Sequence, residues 1–291
     1  MRREAVVVRS VVVTGVSTGI GLGATRVLVA KGFHVFGSVR KVEDGARLKA
    51  EFGDAFTPLV FDVTDAQAAQ AASAQVEAAL SGATLAGLVN NAGIAVAGPL
   101  LYLPVDEFRH QLEVNLTGVV IATQAFAPLL GARTPAVRDP GRIVNISSVG
   151  GRTANPFMAP YNVSKFGLEG LSESLRRELL PFGVDVIVVA PGAVATPIWD
   201  KADQVDVSRY ANTPYAAALD RIRAYMLQLG RAGLPPERVG EVIHHALTAQ
   251  KPKVRYTVAA DMFRIFMGEH LPKRLLDRIV GRQLGLMPDG R

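Results

Sequence analysis

The sequence predicts a single α/β domain built on a doubly wound parallel sheet. Short, continuously apolar, β-branched runs alternate with amphipathic stretches along the chain, and strands covered on both faces require continuous apolar runs. Such alternation implies right-handed β-α-β crossovers. The chain has 291 residues, 49% of them hydrophobic, which is enough for one full core.

Six runs are predicted as strands. In chain order they are "SVVVTG" from Ser10, "HVFGSV" from His34, "FTPLVFDV" from Phe56, "LAGLVNNAG" from Leu85, "GRIVNISS" from Gly141 and "VDVIVVAPG" from Val184. Helices are expected between them. Residues 131–141, rich in Pro and Arg, are expected to form a surface loop.

Composition excludes several classes of protein. The chain has no cysteine, so disulfides, thiolate zinc sites and cysteine nucleophiles are excluded. Residues 251–291 hold nine Lys or Arg and four Asp or Glu, so most of the net charge of +6 lies in this basic C-terminal extension. The nearly neutral body argues against a nucleic-acid groove. The five histidines show no ligand spacing, and no metal site is predicted.

No apolar run reaches the roughly 18 residues of a membrane span. The valine-rich start is interrupted by Arg9 and lacks a small-residue cleavage site. We therefore expect a soluble protein, and a cytoplasmic location is compatible with the absence of cysteine.

The first predicted strand runs into a glycine-rich turn, "TGVSTGIG". Gly15, Gly19 and Gly21 stand between this strand and the amphipathic run "LGATRVLVAKG". Glycines allow a tight turn and close approach of the backbone to a pyrophosphate, and the following helix directs its N-terminal amides at the negative charge. The spacing is G-x-x-x-G-x-G rather than G-x-G-x-x-G. The turn predicts a dinucleotide phosphate site.

The end of the second strand, "GSVRK", distinguishes the two nicotinamide cofactors. Val39 stands where an acidic residue usually binds a free ribose 2′-hydroxyl, and Arg40 and Lys41 follow. A guanidinium can bind a 2′-phosphate that a carboxylate would repel, so NADP(H) is favoured over NAD(H). The alternative is that Arg40 and Lys41 are solvated and that Glu43 or Asp44 reaches the ribose.

Seven motifs in order make residues 8–198 resemble the short-chain dehydrogenase/reductase family, which has a Rossmann fold. The motifs are "TGVSTGIG", "DV" at Asp62, "NNAG" at Asn90, "VNLTG" at Val114, "NISS" at Asn145, "YNVSK" at Tyr161 and "PGAVAT" at Pro191. The resemblance implies a cofactor site made of Gly15, Ser17, Thr18, Gly19, Ile20, Gly21, Arg40, Asp62, Val63, Asn91, Ala92, Gly93, Tyr161, Lys165, Pro191, Gly192, Val194 and Thr196.

The same resemblance implies four catalytic residues, namely Asn115, Ser148, Tyr161 and Lys165. Ser147 competes with Ser148, and the family spacing of 13 residues before the tyrosine selects Ser148. In the family the lysine also binds the nicotinamide ribose, the serine steadies the substrate oxygen, and the asparagine holds a water.

Proton exchange with an alcohol near neutral pH requires a tyrosine more acidic than its ordinary pKa of about 10. Lys165 follows Tyr161 by four residues and shares its helix face. We therefore expect the ammonium of Lys165 to lower the pKa of Tyr161.

The predicted function is an oxidoreductase that interconverts a secondary alcohol and a ketone. The alternative is a catalytically silent dinucleotide-binding sensor or scaffold. Residues 197–235 are expected to form a substrate lid, in which Trp199, Tyr210, Tyr215, Tyr225 and Met226 either line an apolar pocket or pack the lid onto the body.

Self-association and membrane contact are the two further interactions for which the sequence gives an expectation. By analogy with the family, we expect a homodimer or homotetramer. In "LPKRLLDRIVGRQLGL", Arg274, Arg278 and Arg282 share one face of a predicted helix. A basic face of this kind can bind an anionic membrane, but it is more often exposed to solvent. Membrane contact is therefore not expected.

Overall fold

The computed structural model describes residues 9–135, 137–199 and 207–288. Their seven strands form one sheet, in the order β3-β2-β1-β4-β5-β6-β7, and every neighbouring pair is parallel. The strands are β1 Ser10–Val13, β2 His34–Val39, β3 Phe56–Val60, β4 Gly87–Asn90, β5 Arg142–Ile146, β6 Asp185–Pro191 and β7 Arg255–Val258. The predicted doubly wound parallel sheet is confirmed.

The strand order reverses between β1 and β4. In open α/β sheets, ligands bind outside the carboxyl ends of the strands at such a switch point. The glycine turn follows β1 and the "NNAG" motif follows β4, so both lie at this position.

Ten helices surround the sheet in the described part of the chain. They are α1 Gly19–Ala30, α2 Val42–Phe52, α3 Ala66–Leu80, α4 Val105–Leu112, α5 Gly118–Phe126, α6 Ala159–Glu178, α7 Ala216–Arg231, α8 Pro236–Thr248, α9 Met262–His270 and α10 Lys273–Leu284. A π-helical turn, Glu113–Thr117, joins α4 to α5. The loop predicted over residues 131–141 contains no helix or strand in its described residues.

The sheet has an apolar core on each face. Val11 and Val13 of β1 belong to the core that includes α1 and α8, whereas Val12 faces the core that includes α3 and α5. Burial on both faces explains why the strands are continuously apolar.

One helical run, Val105–Leu130, is long and apolar enough to span a membrane by length and composition alone. Val119, Ala122 and Phe126 in this run are buried, the last two in the core against the sheet. Packing in the core accounts for the apolar composition of the run.

Candidate active site

The glycine turn after β1 is packed too closely for side chains. A Cβ on Gly21 would lie 2.2 Å from the Gly15 carbonyl oxygen and 2.5 Å from Asn91 Nδ2. A Cβ on Gly15, which has a φ of +71°, would lie 2.8 Å from the Ala92 Cα. Only glycine therefore fits at these two positions, because the turn packs directly against the segment after β4.

Helix α1 begins at Gly19, inside this turn. Its N-cap residue, Thr18, makes no side-chain capping bond, and the first turn contains no acidic residue. The first amides of a helix lack partners within the helix and carry a partial positive charge. Ser17, Thr18, Gly19, Ile20 and Gly21 thus fit the pyrophosphate of a dinucleotide.

Thr14 and Asn91 fasten the ends of β1 and β4 together. The Thr14 hydroxyl oxygen accepts hydrogen bonds from the backbone amides of Asn91 and Ala92, at 2.9 and 3.0 Å. Asn91 Nδ2 donates to the carbonyl oxygens of Thr14 and Gly15, at 2.8 and 3.0 Å. These bonds hold the segment that begins at Asn91, which the sequence predicts to contact the cofactor, against the glycine turn.

At the end of β2, Val39 is buried and Arg40 is exposed. Burial raises the pKa of Asp62, but hydrogen bonds from the Thr64 amide and hydroxyl and the nearby Arg40 guanidinium outweigh it, so the pKa is lowered. Val63, next to Asp62, is buried against Gly118. Arg40 and Asp62 therefore lie on the same side of the site.

Arg47 is a cation that the sequence motifs did not indicate. Its Nη2 donates to the Ser17 carbonyl oxygen at 2.8 Å and to Asp44 Oδ1 at 3.2 Å. Asp44 is thus engaged by Arg47, which argues against the alternative in which Asp44 reaches the ribose. The i, i+3 spacing of the pair was visible in the sequence, but the contact with Ser17 was not.

Tyr161 and Lys165 lie one turn apart on α6, as their spacing predicts. Lys165 Nζ is 5.7 Å from the centroid of the Tyr161 ring and donates a 2.8 Å hydrogen bond to the Ile146 carbonyl at the end of β5. Burial lowers the pKa of Lys165 to about 8, while the Glu169 carboxylate acts in the opposite direction.

Ser148 follows β5 and meets Tyr161. Its hydroxyl oxygen accepts from the Gly150 amide at 3.0 Å. A Cβ on Gly150 would lie 3.3 Å from Ser148 Oγ and 3.4 Å from Tyr161 Cε1, so the two side chains lie close together. Ser147 is buried too, but its hydroxyl has no hydrogen-bond partner among the described residues, so the structure assigns this hydroxyl no hydrogen bond.

The pKa of Tyr161 differs from the sequence expectation. Burial raises this pKa, and the hydrogen bond with Ser148 only partly opposes the rise. Lys165 Nζ lies 5.7 Å from the ring centroid and is anchored to Ile146, so its attraction does not overcome the cost of placing a phenolate in a buried position. In this structure the phenol is held as a proton donor.

Asn115 lies in the π-helical turn and is almost fully buried. Its Oδ1 accepts from the Ile94 amide at 2.8 Å, and its Nδ2 donates to the Ile94 carbonyl and to Ser164 Oγ, at 3.0 and 3.1 Å. Ser164 donates in turn to the Tyr161 carbonyl at 2.7 Å. Asn115 is thus connected to α6 through Ser164.

The loop after β6 lies against β7 and the glycine turn. Gly192 donates its amide to the Val258 carbonyl at 2.9 Å, and Val194 pairs with Leu234. A Cβ on Gly19 would lie 3.4 Å from the Thr196 side chain, so Thr196 lies over the glycine turn. The pairing with Leu234 was not foreseen, because a short isolated bridge leaves no periodic signal.

Comparison with known proteins agrees with this arrangement. Residues 9–206 match the family model of the short chain dehydrogenases. The chain belongs to the short-chain dehydrogenase family. Members of this family are oxidoreductases, and this protein is an enzyme that acts on CH–OH groups.

Relatives cover nearly the whole short-chain dehydrogenase chain. It is 39% identical over 278 residues to an NADPH-dependent 3-dehydrocapnine reductase of Ornithobacterium rhinotracheale, which covers 95% of this chain and 97% of the relative. It is 34% identical over 281 residues to retinol dehydrogenase 5 of Mus musculus, covering 92% and 86%. The crystal structure of a short-chain dehydrogenase from Streptomyces avermitilis has a TM-score of 0.75 and 26% identity, covering 97% and 98%.

The region predicted as the lid packs its aromatic residues onto the body of the short-chain dehydrogenase. Tyr215 meets Tyr102 and Phe157 edge-on, with ring centroids 6.0 and 5.7 Å apart. Trp199 Nε1 donates to the Val194 carbonyl at 2.7 Å, and Tyr210 is buried. Packing onto the body therefore explains these residues, while the rings around Tyr215 also form an apolar wall. Residues 200–206 of the predicted lid lie outside the described residues.

Within residues 9–135, 137–199 and 207–288, no group of three His, Asp or Glu side chains is arranged to hold a metal ion.

Proposed function

We propose that this short-chain dehydrogenase interconverts a secondary alcohol and a ketone with NADP(H), and that Tyr161 is the general acid and base. The observation that carries the proposal is the position of Tyr161. Its ring and the Ser148 hydroxyl both lie against Gly150, and it is one helical turn from the buried Lys165, whose Nζ is anchored at the end of β5.

When bound, the nicotinamide supplies the hydride that reduces the carbonyl carbon. The carbonyl oxygen then gains negative charge and needs a proton as the charge forms. Tyr161, whose raised pKa keeps its hydroxyl protonated, donates that proton. Ser148 donates a hydrogen bond to the same oxygen, and preorganised donors of this kind are commonly a large part of catalysis.

Lys165 and Asn115 support this step. The ammonium of Lys165 stabilises the phenolate left on Tyr161 and binds the nicotinamide ribose. Asn115 fixes the first turns of α6 through Ser164, and it orders the proton path toward Lys165.

NADP(H) is the proposed cofactor, with NAD(H) as the alternative. Val39 stands in place of an acidic residue, Arg40 is exposed next to it, and Asp44 is paired with Arg47. The carboxylate that would repel a 2′-phosphate is thus missing, and a guanidinium that can bind the phosphate stands next to its position. The relative from Ornithobacterium is named as NADPH-dependent.

The proposed cofactor contacts lie in four segments at the carboxyl ends of the strands. They are the glycine turn at Gly15, Ser17, Thr18, Gly19, Ile20 and Gly21, the adenine side at Arg40, Asp62 and Val63, the β4 end at Asn91, Ala92 and Gly93, and the nicotinamide side at Tyr161, Lys165, Pro191, Gly192, Val194 and Thr196.

A lipophilic ketone or alcohol is the proposed substrate. Tyr102, Phe157 and Tyr215 form an apolar wall, and Leu100 and Leu101 next to it are exposed. Apolar walls with few polar groups suit apolar ligands. A panel of ketones, followed by loss of NADPH absorbance, identifies the class.

Tyr161→Phe tests the catalytic assignment. We expect kcat to fall by about 10³-fold or more, because the donor of the proton is lost, while NADPH binding measured by calorimetry is retained. Tyr256→Phe is the matched control. The Tyr256 hydroxyl accepts a hydrogen bond from the backbone amide of Lys253, which precedes β7, and Tyr256 is not a residue of the proposed site, so parental activity is expected.

Two outcomes would contradict the proposal. Near-parental turnover of Tyr161→Phe would remove the tyrosine from the mechanism. A wild-type protein that binds NADPH yet reduces no ketone would favour the silent sensor or scaffold.

We also propose a soluble, cytoplasmic homodimer or homotetramer. The exposed apolar side chains of Val163 and Phe166 on α6 support pairing of this helix between subunits. Light scattering on the purified protein measures its oligomeric state.

The arginine face of α10 is proposed to be exposed to solvent. Co-sedimentation with anionic vesicles at moderate salt is therefore not expected.

A further inference from the structure

Glu169 occupies the next turn of α6 after Lys165. Tyr161, Lys165 and Glu169 follow each other at four-residue intervals, so their side chains share one helix face. The Glu169 side chain is 17% exposed, and the mechanism proposed above does not use it. A carboxylate buried to this extent requires a partner.

The partner is Arg255 on β7, the edge strand. Arg255 Nε lies 3.2 and 3.1 Å from the two carboxylate oxygens of Glu169, and its side chain is only 10% exposed. Arg255 Nη1 also donates to Thr257 Oγ1 at 2.6 Å, which fixes the guanidinium on its own strand. The ion pair thus joins the catalytic helix to the edge strand.

The turn that carries Ser148 packs on the same carboxylate. A Cβ on Gly151 would lie 3.1 Å from both Glu169 Cγ and the Lys165 carbonyl oxygen. Arg152, the next residue, has its Nε 3.9 Å from Glu169 Oε2 and its Nη1 3.9 Å from Glu269 Oε2 on α9. Glu169 is therefore the contact shared by the catalytic helix, the serine turn and β7.

We propose that Glu169 is a positioning residue whose carboxylate, held by Arg255, keeps Lys165 as an ammonium ion beside Tyr161. The inference rests on the proposed function, in which Lys165 acts as a cation. Burial disfavours a charged lysine, and a nearby carboxylate is the feature that can compensate. In agreement, burial lowers the pKa of Lys165 to about 8, and Glu169 raises it against that effect.

The charged and titratable groups around Lys165 predict effects of opposite sign. They are Tyr161 and Glu169 on α6, Arg152 after β5, Arg255 on β7 and Glu269 on α9. Loss of the Glu169 charge removes an attraction for the ammonium, so the pKa of Lys165 falls. Loss of the Arg255 charge leaves the carboxylate uncompensated, so the pKa of Lys165 rises. A purely structural role would destabilise both variants without these opposite shifts.

The test follows Lys165 directly by NMR in the cofactor-free protein. The chain has eight lysines, so the labelled side-chain signals are few, and loss of one signal in Lys165→Arg assigns it. For Glu169→Gln we expect a titration midpoint about one pH unit lower, as for removal of a nearby opposite charge. For Arg255→Gln we expect a higher midpoint.

Three comparisons complete the experiment. Glu173→Gln is the matched control, because Glu173 lies one turn farther along α6, pairs with Arg177 and has a 55% exposed side chain, so an unchanged midpoint is expected. Glu169→Asp keeps the charge and should restore most of the wild-type midpoint. If Glu169→Gln does not fold, Arg255→Gln takes its place, and an unchanged or lower midpoint there would overturn the proposal. In the active enzyme, the alkaline limb of the kcat profile should move to lower pH in Glu169→Gln.

An unchanged Lys165 midpoint in Glu169→Gln, or an equal shift in Glu173→Gln, would overturn the proposal. The NMR titration needs no turnover. Failure of the wild-type protein to reduce any ketone would instead count against the proposed function, so the two failures are distinguishable.

Discussion

The proposed site has two ends that are constructed differently, namely a phosphate end at the glycine turn and a substrate end around Tyr215. At the phosphate end, the glycine turn and the end of β4 meet through backbone atoms and the short side chains of Thr14 and Asn91. At the substrate end, long side chains from distant segments meet, as Arg209 does with Glu107 and Tyr215 with Tyr102.

This difference determines which part of the site can be recognised from the sequence. Backbone contacts at the phosphate end exclude a Cβ at Gly21, so the residue type there is dictated by geometry. Aromatic contacts at the substrate end can be made by several residue types, since volume and apolarity are what they require. The phosphate end should therefore be intolerant of substitution, and the substrate end adaptable.

Gly21→Ala should have the largest effect in this comparison. The added Cβ would meet the Gly15 carbonyl oxygen at 2.2 Å and must displace the turn. We expect NADPH affinity to fall by about 100-fold or more, and the free energy of unfolding to fall by about 1–3 kcal/mol from overpacking. Calorimetric titration and denaturant unfolding measure the two quantities.

Gly170→Ala is the control for this change. Gly170 lies on α6, and a Cβ there would meet nothing within 4 Å. Since alanine is the better helix former, the protein should become more stable by up to about 1 kcal/mol, with unchanged NADPH binding. Equal tolerance of alanine at positions 21 and 170 would contradict the contrast between the two ends.

Arg40→Ala should have an intermediate effect, because it removes a side chain rather than a backbone contact. We expect the ratio of kcat/KM with NADPH to that with NADH to fall by about 10- to 100-fold, from loss of one charge-assisted contact to a phosphate. Arg109→Ala, an exposed arginine paired with Asp106 on α4, should leave the ratio unchanged. A wild-type preference for NADH would refute the assignment of Arg40.

The sequence predicted the sheet and the position of the glycine turn because both depend on short-range rules. The six predicted strands are present, and their continuous apolar runs reflect burial on two faces. The edge strand β7 was missed because "RYTV" is short and its first three residues are only partly buried. The other edge strand, β3, was predicted because its run "FTPLVFDV" is largely apolar, and β7 lacks such a run.

Features of the site that depend on tertiary contacts could not be predicted. The four-residue spacing of Tyr161 and Lys165 indicated a shared face, but not that Lys165 is anchored to Ile146 and that burial dominates the pKa of Tyr161. The pairing of Arg255 with Glu169 joins residues 86 positions apart. Such contacts depend on the order of the strands in the sheet, and short sequence patterns give no information about that order.

Glu107→Gln should have the smallest effect on stability and activity, and it tests whether the substrate end tolerates substitution. Arg209 donates to both carboxylate oxygens of Glu107 and thereby lowers the pKa of Glu107. Both side chains are more than a third exposed, so the pair contributes less than about 1 kcal/mol to stability. The ion pair fixes the Ser208–Tyr210 turn to α4, so its loss should raise KM for the ketone by a few-fold and leave KM for NADPH unchanged.

The pH dependence of the stability contributed by the Glu107–Arg209 ion pair shows whether the charge of Glu107 is its source. Because the folded pKa of Glu107 is depressed, its contribution is fully present above the unfolded pKa of about 4.3 and is lost as pH falls through the lower folded value. The stability difference between wild type and Glu107→Gln should therefore vanish in acid. Asp106→Asn is the control, since the Asp106 side chain is 92% exposed and pairs within α4. A large effect of Glu107→Gln on NADPH binding would show that the two ends are not independent.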